Sequence, residues 1–283
     1  MKKHLTTFIL ILMFIAGLSL LLYPTISDRW NAIHQTRAIA SYEDQVNNID
    51  ETRKAEMLKQ AREYNENLVG LADRWKRTEG AYDAYEGILD VSGTGIMGYI
   101  DIPSIQVQLP IYHGTDQTVL QIAVGHVEGS SLPVGGIGTH CVLSGHRGLS
   151  SAKLFTDIDQ LIEGDLFKLS VLGETLTYQV DQIHIVLPDE INDLEIDRDM
   201  DYCTLVTCTP YGVNSHRLLV RGHRIENEDD ARIIVSDASI VPNLQEVAAL
   251  TVVLLIVYTL IRAVLSKIDW EFLWEAASGR MRK

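Results

Sequence analysis

The middle of the chain, residues 98–225, is a series of short apolar runs separated by glycine, proline and aspartate. Short runs broken by such residues at this spacing are typical of strands. Two of them, 167–171 and 176–183, alternate apolar and polar residues around Gly173, as in a hairpin. The pattern predicts a mainly β domain, and a closed antiparallel barrel would leave no exposed sheet edge. The predicted strands are 99–102, 105–112, 140–143, 165–171, 175–187, 204–208 and 218–225.

Two apolar blocks flank this β region. Residues 5–27 carry no charge, and a helix needs about 20 apolar residues to span a bilayer. Residues 247–265 carry only Arg262, which lies near the end of the block and can extend its guanidinium group to the lipid headgroups. The sequence therefore predicts a transmembrane helix at each end. The alternatives are a cleaved signal peptide for the first block and a buried core helix for the second.

The charges beside the two blocks predict their orientation. Basic residues lie on the outer side of both blocks, at Lys2, Lys3, Lys267, Arg280, Arg282 and Lys283. Because basic residues favour the cytoplasmic side, both termini are predicted to be cytoplasmic and everything between the blocks extracellular. The predicted order is an N-terminal signal anchor at 1–27, a helical segment at 28–92, the β domain at 93–230, a linker at 231–245, a second span at 246–266 and a cytoplasmic tail at 267–283.

The helical segment carries one apolar stripe. Its members recur at spacings of three and four, which is the helical period: Met57, Ala61, Tyr64, Leu68, Leu71 and Trp75. A stripe of this kind is first of all a packing face, and we expect it to dock on the β domain. Glycines at 70, 80 and 87 follow or interrupt it, and residues 92–95 mark the change from helical period to strands.

Composition excludes several classes of partner and cofactor. The net charge of -14 is unfavourable for nucleic acid, whose phosphates need a concentrated basic surface. The chain has no glycine-rich loop placed between a strand and a helix, so a nucleotide fingerprint is a poor interpretation. Its nine histidines are scattered without the spacing of metal ligands. No metal and no cofactor are predicted.

The three cysteines, Cys141, Cys203 and Cys208, make an odd number, so at least one thiol is outside any intramolecular disulfide. Cys203 and Cys208 lie on one predicted strand, where their offset separates them by roughly 16 Å and turns them to opposite faces. Cys141 and Cys203 are predicted to be small buried residues.

Residues 204–217 predict a strand, a turn and a return strand, because Pro210, Gly212 and Asn214 supply turn chemistry between two apolar runs. Cys208 and Arg217 should then face each other across the mouth of a hairpin. A thiol beside a fixed guanidinium group suits nucleophilic acyl transfer, since the thiolate attacks a carbonyl and the cation stabilises the resulting oxyanion.

A candidate base precedes this hairpin. His146 follows the apolar run 141–143 and a Ser-Gly pair, so it should lie at the end of another strand. Judged from its residues alone, an ordinary surface-loop histidine is an equally good interpretation.

The sequence Thr-Leu-Val-Thr-Cys208, with His146 before it and Arg217 after it, resembles the sortases, the cysteine transpeptidases of Gram-positive cell surfaces. The stretches that resemble the pilin-polymerising class C branch are 109–115, 125–136, 145–156 and 207–214. The resemblance extends from about residue 95 to residue 225. It implies an eight-stranded β-barrel, with Cys208 as nucleophile, His146 as acid and base, Arg217 as oxyanion and substrate ligand, and Thr207 in substrate binding.

The resemblance also implies a reaction. Cys208 would cleave a Leu-Pro-x-Thr-Gly-like sorting signal between Thr and Gly, and a lysine of a pilin subunit would accept the acyl group. The implied partners are sorting signals, the lysine-bearing pilin and the membrane, without nucleic acid or cofactor. Two alternatives remain: a housekeeping sortase that attaches surface proteins to peptidoglycan, and a non-enzymatic membrane-tethered surface module. The second would be expected to lose Cys208, His146 or Arg217, and all three are present.

Class C sortases commonly carry a lid, an Asp-Pro-aromatic motif before the barrel, and Asp73-Arg-Trp75 stands at that place. The resemblance implies that Asp73 pairs with Arg217 and that Trp75 shields Cys208. Arg74 stands where proline is usual, so we expect a segment that is more mobile or continuous with the preceding helix. The alternative is that Trp75 completes the apolar stripe and Asp73 is a solvated helix residue.

Overall fold

The structure is a computed structural model that describes residues 2–71, 73–76, 84–227, 257, 259 and 262. Ser27–Ser239 form one compact unit, and the residues before Ser27 lie outside it. The α-helices include α1 (Lys2–Asn48), α2 (Glu51–Leu68) and α3 (Gln117–Leu120). The strands are β1 (Ile96–Ile102), β2 (Val107–His113), β3 (Val124–His126), β4 (Thr139–Ser144), β5 (Leu166–Val171), β6 (Glu174–Val186), β7 (Asp201–Thr209) and β8 (His216–Ile225).

The eight strands close into a barrel in the order β1-β2-β3-β4-β7-β8-β6-β5, which confirms the predicted closed eight-stranded barrel. The expectation of a wholly antiparallel sheet is wrong, because β2 with β3 and β4 with β7 pair in parallel. Parallel neighbours need a crossover connection, and the hairpin of β5 and β6 provides it between β4 and β7. Strand β3 was not predicted, because three residues are too few to show an alternating pattern.

The parallel pair β4–β7 determines where the site lies. Ser144 at the end of β4 is level with Val206, two residues before Cys208. Parallel strands present their carboxyl ends at the same edge, so β4 and β7 deliver their following residues to one end of the barrel. At the far end of β7 the barrel is tightly filled: a Cβ atom on Gly222 would lie 2.7 Å from the Phe167 ring.

Helix α1 is long enough and apolar enough to cross a membrane. Between Ile9 and Asn48, its most apolar 18-residue stretch has a mean hydropathy of 2.4, and none of that stretch is buried. Downstream of Ser27 the same helix packs on the barrel through Ile39, Tyr42 and Val46. The Tyr42 hydroxyl donates to the Met97 carbonyl oxygen at 3.0 Å and accepts from the Leu172 N–H at 2.9 Å. The second predicted span, 246–266, lies outside the described residues apart from three isolated positions.

Helix α2 docks on the barrel as its stripe predicts, but the stripe is shorter than expected. The buried residues include Met57, Ala61 and Leu68. Beyond Leu68 the prediction is wrong: the helix ends there, since Gly70 has a φ of +86°, and Leu71 is 53% exposed. Trp75 is therefore not part of the helical stripe.

Candidate active site

Cys208 and Arg217 are directly opposed in the antiparallel pair β7–β8, so the predicted juxtaposition across the hairpin mouth is confirmed. The Cys208 thiol is free and half-buried. The Arg217 guanidinium group is oriented by the turn, because its Nη1 donates to the Asn214 carbonyl oxygen at 3.3 Å and to the His216 carbonyl oxygen at 3.1 Å. Asn214 has a φ of +59°, a left-handed conformation that asparagine tolerates better than most residues.

His146 reaches the same end of the barrel from β4. The preceding residue, Gly145, is tied to β7 on both sides: its N–H donates to the Val206 carbonyl oxygen at 3.0 Å, and its carbonyl oxygen accepts from the Thr207 hydroxyl at 2.8 Å. The His146 carbonyl oxygen accepts from the Phe155 N–H at 3.1 Å. The structure therefore brings the loops or strand ends that carry Cys208, His146 and Arg217 together. Partial burial lowers the pKa of His146, because a less hydrated site disfavours the charged imidazolium.

Two glycines let the histidine loop lie close to its neighbours. A Cβ atom on Gly145 would lie 2.6 Å from the Phe155 ring. Gly148 has a φ of +74°, and a Cβ atom there would lie 2.8 Å from the ring of Tyr211, which belongs to the loop between β7 and β8. The loop that carries His146 and the loop that follows Cys208 therefore pack directly on each other. Sequence reasoning missed Phe155 and Tyr211, because only the tertiary structure places their rings against these glycines.

The neighbouring arginines already have carboxylate partners. Arg221 makes a bidentate pair with Asp181 at 3.0 and 3.1 Å, and Arg147 pairs with Asp159. Both guanidinium groups are therefore held by carboxylates rather than surrounded by water. Within the part of the chain that the structure describes, Arg217 differs from these two arginines because its guanidinium group has no carboxylate partner and donates only to backbone carbonyl oxygens.

Comparison with known proteins identifies the family of the domain. The sortase-domain family matches residues 100–225. The chain is 53% identical to the crystal structure of sortase C1 from Streptococcus agalactiae, with a TM-score of 0.66, over 68% of this chain and 100% of that one. The chain belongs to the sortase family.

Two further sortases are less similar to this chain in sequence. A lid mutant of sortase A from Corynebacterium diphtheriae is 43% identical with a TM-score of 0.59, over 63% of this chain and 97% of that one. Sortase D from Bacillus subtilis is 30% identical over 131 residues, which make up 45% of this chain and 63% of that protein. The chain thus spans less than two thirds of the length of this curated sortase.

Thr207, which the sortase resemblance assigns to substrate binding, is buried on β7. Only 2% of the residue is exposed, and its hydroxyl is bonded to Gly145. In this structure the Thr207 side chain joins β7 to the histidine loop. Its contact with substrate stays a prediction.

The segment that the resemblance predicts to be a lid is described at residues 73–76, and its contacts differ from the expected ones. Asp73 pairs with Lys76 at 2.6 Å, and both side chains are about three-quarters exposed. Among the described residues, the pair between Asp73 and Arg217 is not formed. The sequence also predicted that Arg74 would leave the segment either more mobile or continuous with the preceding helix, whereas the helix ends at Leu68 and the Arg74 side chain is only 4% exposed.

Arg74 fixes this segment to two loops. Its guanidinium group donates to the carbonyl oxygens of Gly129 at 3.0 Å and Leu194 at 2.9 Å, and to Glu195 Oε2 at 3.3 Å. It also lies 4.1 Å from the centre of the Trp75 ring. Gly129 has a φ of +86°, and a Cβ atom there would lie 2.2 Å from the Arg74 carbonyl oxygen. The segment 73–76 is thus held by the arginine that replaces the usual proline.

The other two cysteines lie away from this chemistry. Cys141 and Cys203 are register partners on β4 and β7 and are buried, as predicted. All three cysteines are free thiols, and burial raises the pKa of Cys203. Within the described residues, no group of three or more His, Cys, Asp or Glu side chains is placed to hold a metal ion.

Proposed function

We propose that this protein is a membrane-anchored cysteine transpeptidase of the pilin-polymerising type. It cleaves a Leu-Pro-x-Thr-Gly-like sorting signal between Thr and Gly and joins the threonine to a lysine of a pilin subunit. The observation that carries the proposal is the pairing of Cys208 with Arg217, beside a histidine loop that is hydrogen-bonded to the same strand.

The first half of the reaction forms a thioester. Cys208 gives its proton to His146, and the thiolate attacks the threonine carbonyl carbon. Arg217 stabilises the oxyanion of the tetrahedral intermediate through charged hydrogen bonds. The carbon–nitrogen bond then breaks, and the imidazolium of His146 protonates the leaving glycine amine.

The second half transfers the acyl group. The pilin lysine amine gives a proton to neutral His146 and attacks the thioester carbon, and the Cys208 thiolate leaves. The lowered pKa of His146 suits this step, because the imidazole is then mostly neutral near pH 7. The thioester keeps much of the free energy of the cleaved amide, so the exchange needs no ATP.

The pilin-polymerising type is favoured over a housekeeping sortase by two observations. Helices α1 and α2 precede the barrel and pack on it, and the identity to sortase C1 from Streptococcus agalactiae is 53% over that whole structure. The presence of all three reactive side chains disfavours a non-enzymatic surface module.

We further propose that α1 anchors the protein in the membrane, with both termini cytoplasmic and the barrel extracellular. The apolar window of α1 and the flanking lysines support this orientation. Protease applied to intact protoplasts should cut between residues 28 and 245 and spare a tag placed after Lys283. Loss of that tag would contradict the proposed topology.

The segment 73–76 is proposed to act as a lid over Cys208, with Trp75 as the shielding ring and Arg74 as its anchor. The three hydrogen bonds of Arg74 support the proposal in so far as they give the segment a defined position. The similar sortase A from Corynebacterium diphtheriae was solved as a lid mutant, which supports a lid in a relative.

The transpeptidase proposal is tested with the full chain in detergent and a synthetic sorting peptide. Mass spectrometry should find a thioacyl adduct on Cys208, and Cys208→Ala should abolish it. Arg217→Lys should slow adduct formation by about 10²–10³-fold, because a lysine cannot reproduce the planar pair of donors. Arg221→Lys on the same strand is the matched control and should keep the rate. An adduct in Cys208→Ala, or equal rates in the two lysine variants, would refute the assignment.

A further inference from the structure

The loop between β4 and β5, which carries His146 near its start, is held on its far side by helix α1. Asp28 Oδ1 accepts from the Lys153 N–H at 2.7 Å. Asn31 Nδ2 donates to the Ser151 carbonyl oxygen at 2.7 Å. The two side chains are three residues apart on the helix and so share one face. Two backbone groups of the loop are thus bonded to two neighbouring side chains of α1.

These contacts are connected to His146 through the folded loop. Ser151 and Lys153 lie just before Phe155, whose N–H donates to the His146 carbonyl oxygen and whose ring fills the space beside Gly145. A second bond closes the loop, from the Gly148 N–H to the Thr156 hydroxyl at 3.2 Å. A shift of the segment 151–153 would therefore be passed to the backbone of His146.

The other side of the histidine is fixed by β7, through the bonds of Gly145 to Val206 and Thr207. The loop thus has two attachments, one on the strand that carries Cys208 and one on α1. The α1 attachment is largely polar, since Ser151 and Lys153 are not buried, although Ala152 between them is. Its geometry therefore depends on the side chains of Asp28 and Asn31.

We propose that Asp28 and Asn31 are positioning residues that orient His146 toward Cys208 through the loop 145–156. The helix that leads out of the apolar segment would then form part of the support of the active site. This inference rests on the proposed function only where it calls His146 catalytic, because the orientation of the imidazole can be measured without substrate.

The test uses the full chain in detergent micelles and the variant Asp28→Ala with Asn31→Ala. We expect kcat for peptide cleavage to fall about 10- to 100-fold with KM unchanged, since small misplacement of a reacting group has effects of this size. We also expect the pKa of His146, followed by NMR of its ring protons, to move up toward its ordinary value as the loop loosens and the ring gains water.

Two controls separate positioning from charge and from general destabilisation. Asp28→Asn removes the charge but keeps an oxygen acceptor for the Lys153 N–H, so it should retain the activity and the pKa of His146. Gln35→Ala removes a bond of the same kind, from Gln35 Nε2 to the Ile122 carbonyl oxygen at 2.7 Å, but at a different loop. It should change neither readout.

The possible results are distinguishable. If the double alanine variant keeps the kcat and the His146 pKa of the unmodified chain, the positioning role is wrong. It is also wrong if Gln35→Ala changes both readouts equally. If the unmodified chain cleaves no sorting peptide, the proposed function fails, and the His146 pKa alone still decides whether α1 orients the loop.

Discussion

The strongest test of the proposed lid, the segment 73–76, is the replacement of Arg74 by alanine. The sequence predicted that Asp73 would hold the proposed lid by pairing with Arg217, whereas in the structure the Arg74 guanidinium group joins the segment to Gly129, Leu194 and Glu195. The substitution removes these bonds and the stacking on Trp75, and leaves the barrel strands untouched. It should therefore open the segment without unfolding the domain.

The size of the effect follows from the contacts. Hydrogen bonds from a charged donor contribute about 1.5–3 kcal/mol each, and Arg74 makes two of them to backbone carbonyl oxygens. The pair with Glu195 adds little, because the Glu195 side chain is 61% exposed. These values are already net of exchange with water, so we take the lower bound for the two bonds and expect the free energy of opening to fall by about 3 kcal/mol. That change raises the open population about 150-fold.

The assay is the rate of Cys208 alkylation in the full chain, followed by peptide mapping. Labelling that requires opening tracks the open population when closing is fast. The rate should rise about 150-fold in Arg74→Ala, whereas the buried Cys141 and Cys203 should stay protected and report that the barrel remains folded.

Asp73→Ala is the matched control. The ion pair between Asp73 and Lys76 is exposed, so it contributes about 0.5 kcal/mol or less, and labelling should change by no more than about twofold. An unchanged labelling rate in Arg74→Ala would refute the lid. A larger effect from Asp73→Ala than from Arg74→Ala would refute the anchoring role of the arginine.

Two further predictions concern stability and packing. Burial lowers the pKa of His140 from 6.5 to about 4, so the unfolded chain binds a proton that the folded chain does not. The free energy of unfolding should therefore fall with decreasing pH, by about 2 kcal/mol between pH 7 and pH 5. Denaturant titrations should show this slope reduced in His140→Gln, and an equal slope in both chains would contradict it. Gly145→Ala and Gly222→Ala both bring a Cβ atom into an aromatic ring, at 2.6 and 2.7 Å, and should cost about 1–3 kcal/mol each in thermal unfolding. Only Gly145→Ala should also slow thioacyl formation beyond its effect on stability, because it displaces Phe155 from the His146 loop; equal losses of activity would contradict this.

Much of the fold was readable from the sequence, because it depends on local pattern. Short apolar runs broken by glycine, proline and aspartate predicted seven of the eight strands. The turn residues between Cys208 and Arg217 predicted their opposition, since a hairpin joins neighbours in the chain. The apolar stripe through Leu68 is likewise a local feature. The motif around Cys208 predicted the family for the same reason.

Only the tertiary structure determined the contacts between residues that are distant in sequence. The parallel pairing of β4 with β7 sets the histidine loop beside Cys208, and no local period indicates which strands will be neighbours. The anchoring of Arg74 on Gly129 and Leu194 was not predicted, since the sequence favoured a segment that is mobile or continuous with the preceding helix. A long cation can find carbonyl acceptors on other loops that the sequence does not place near it. The bonds of Asp28 and Asn31 to the loop after His146 arise in the same way, since only the packed barrel brings that loop against the first helix.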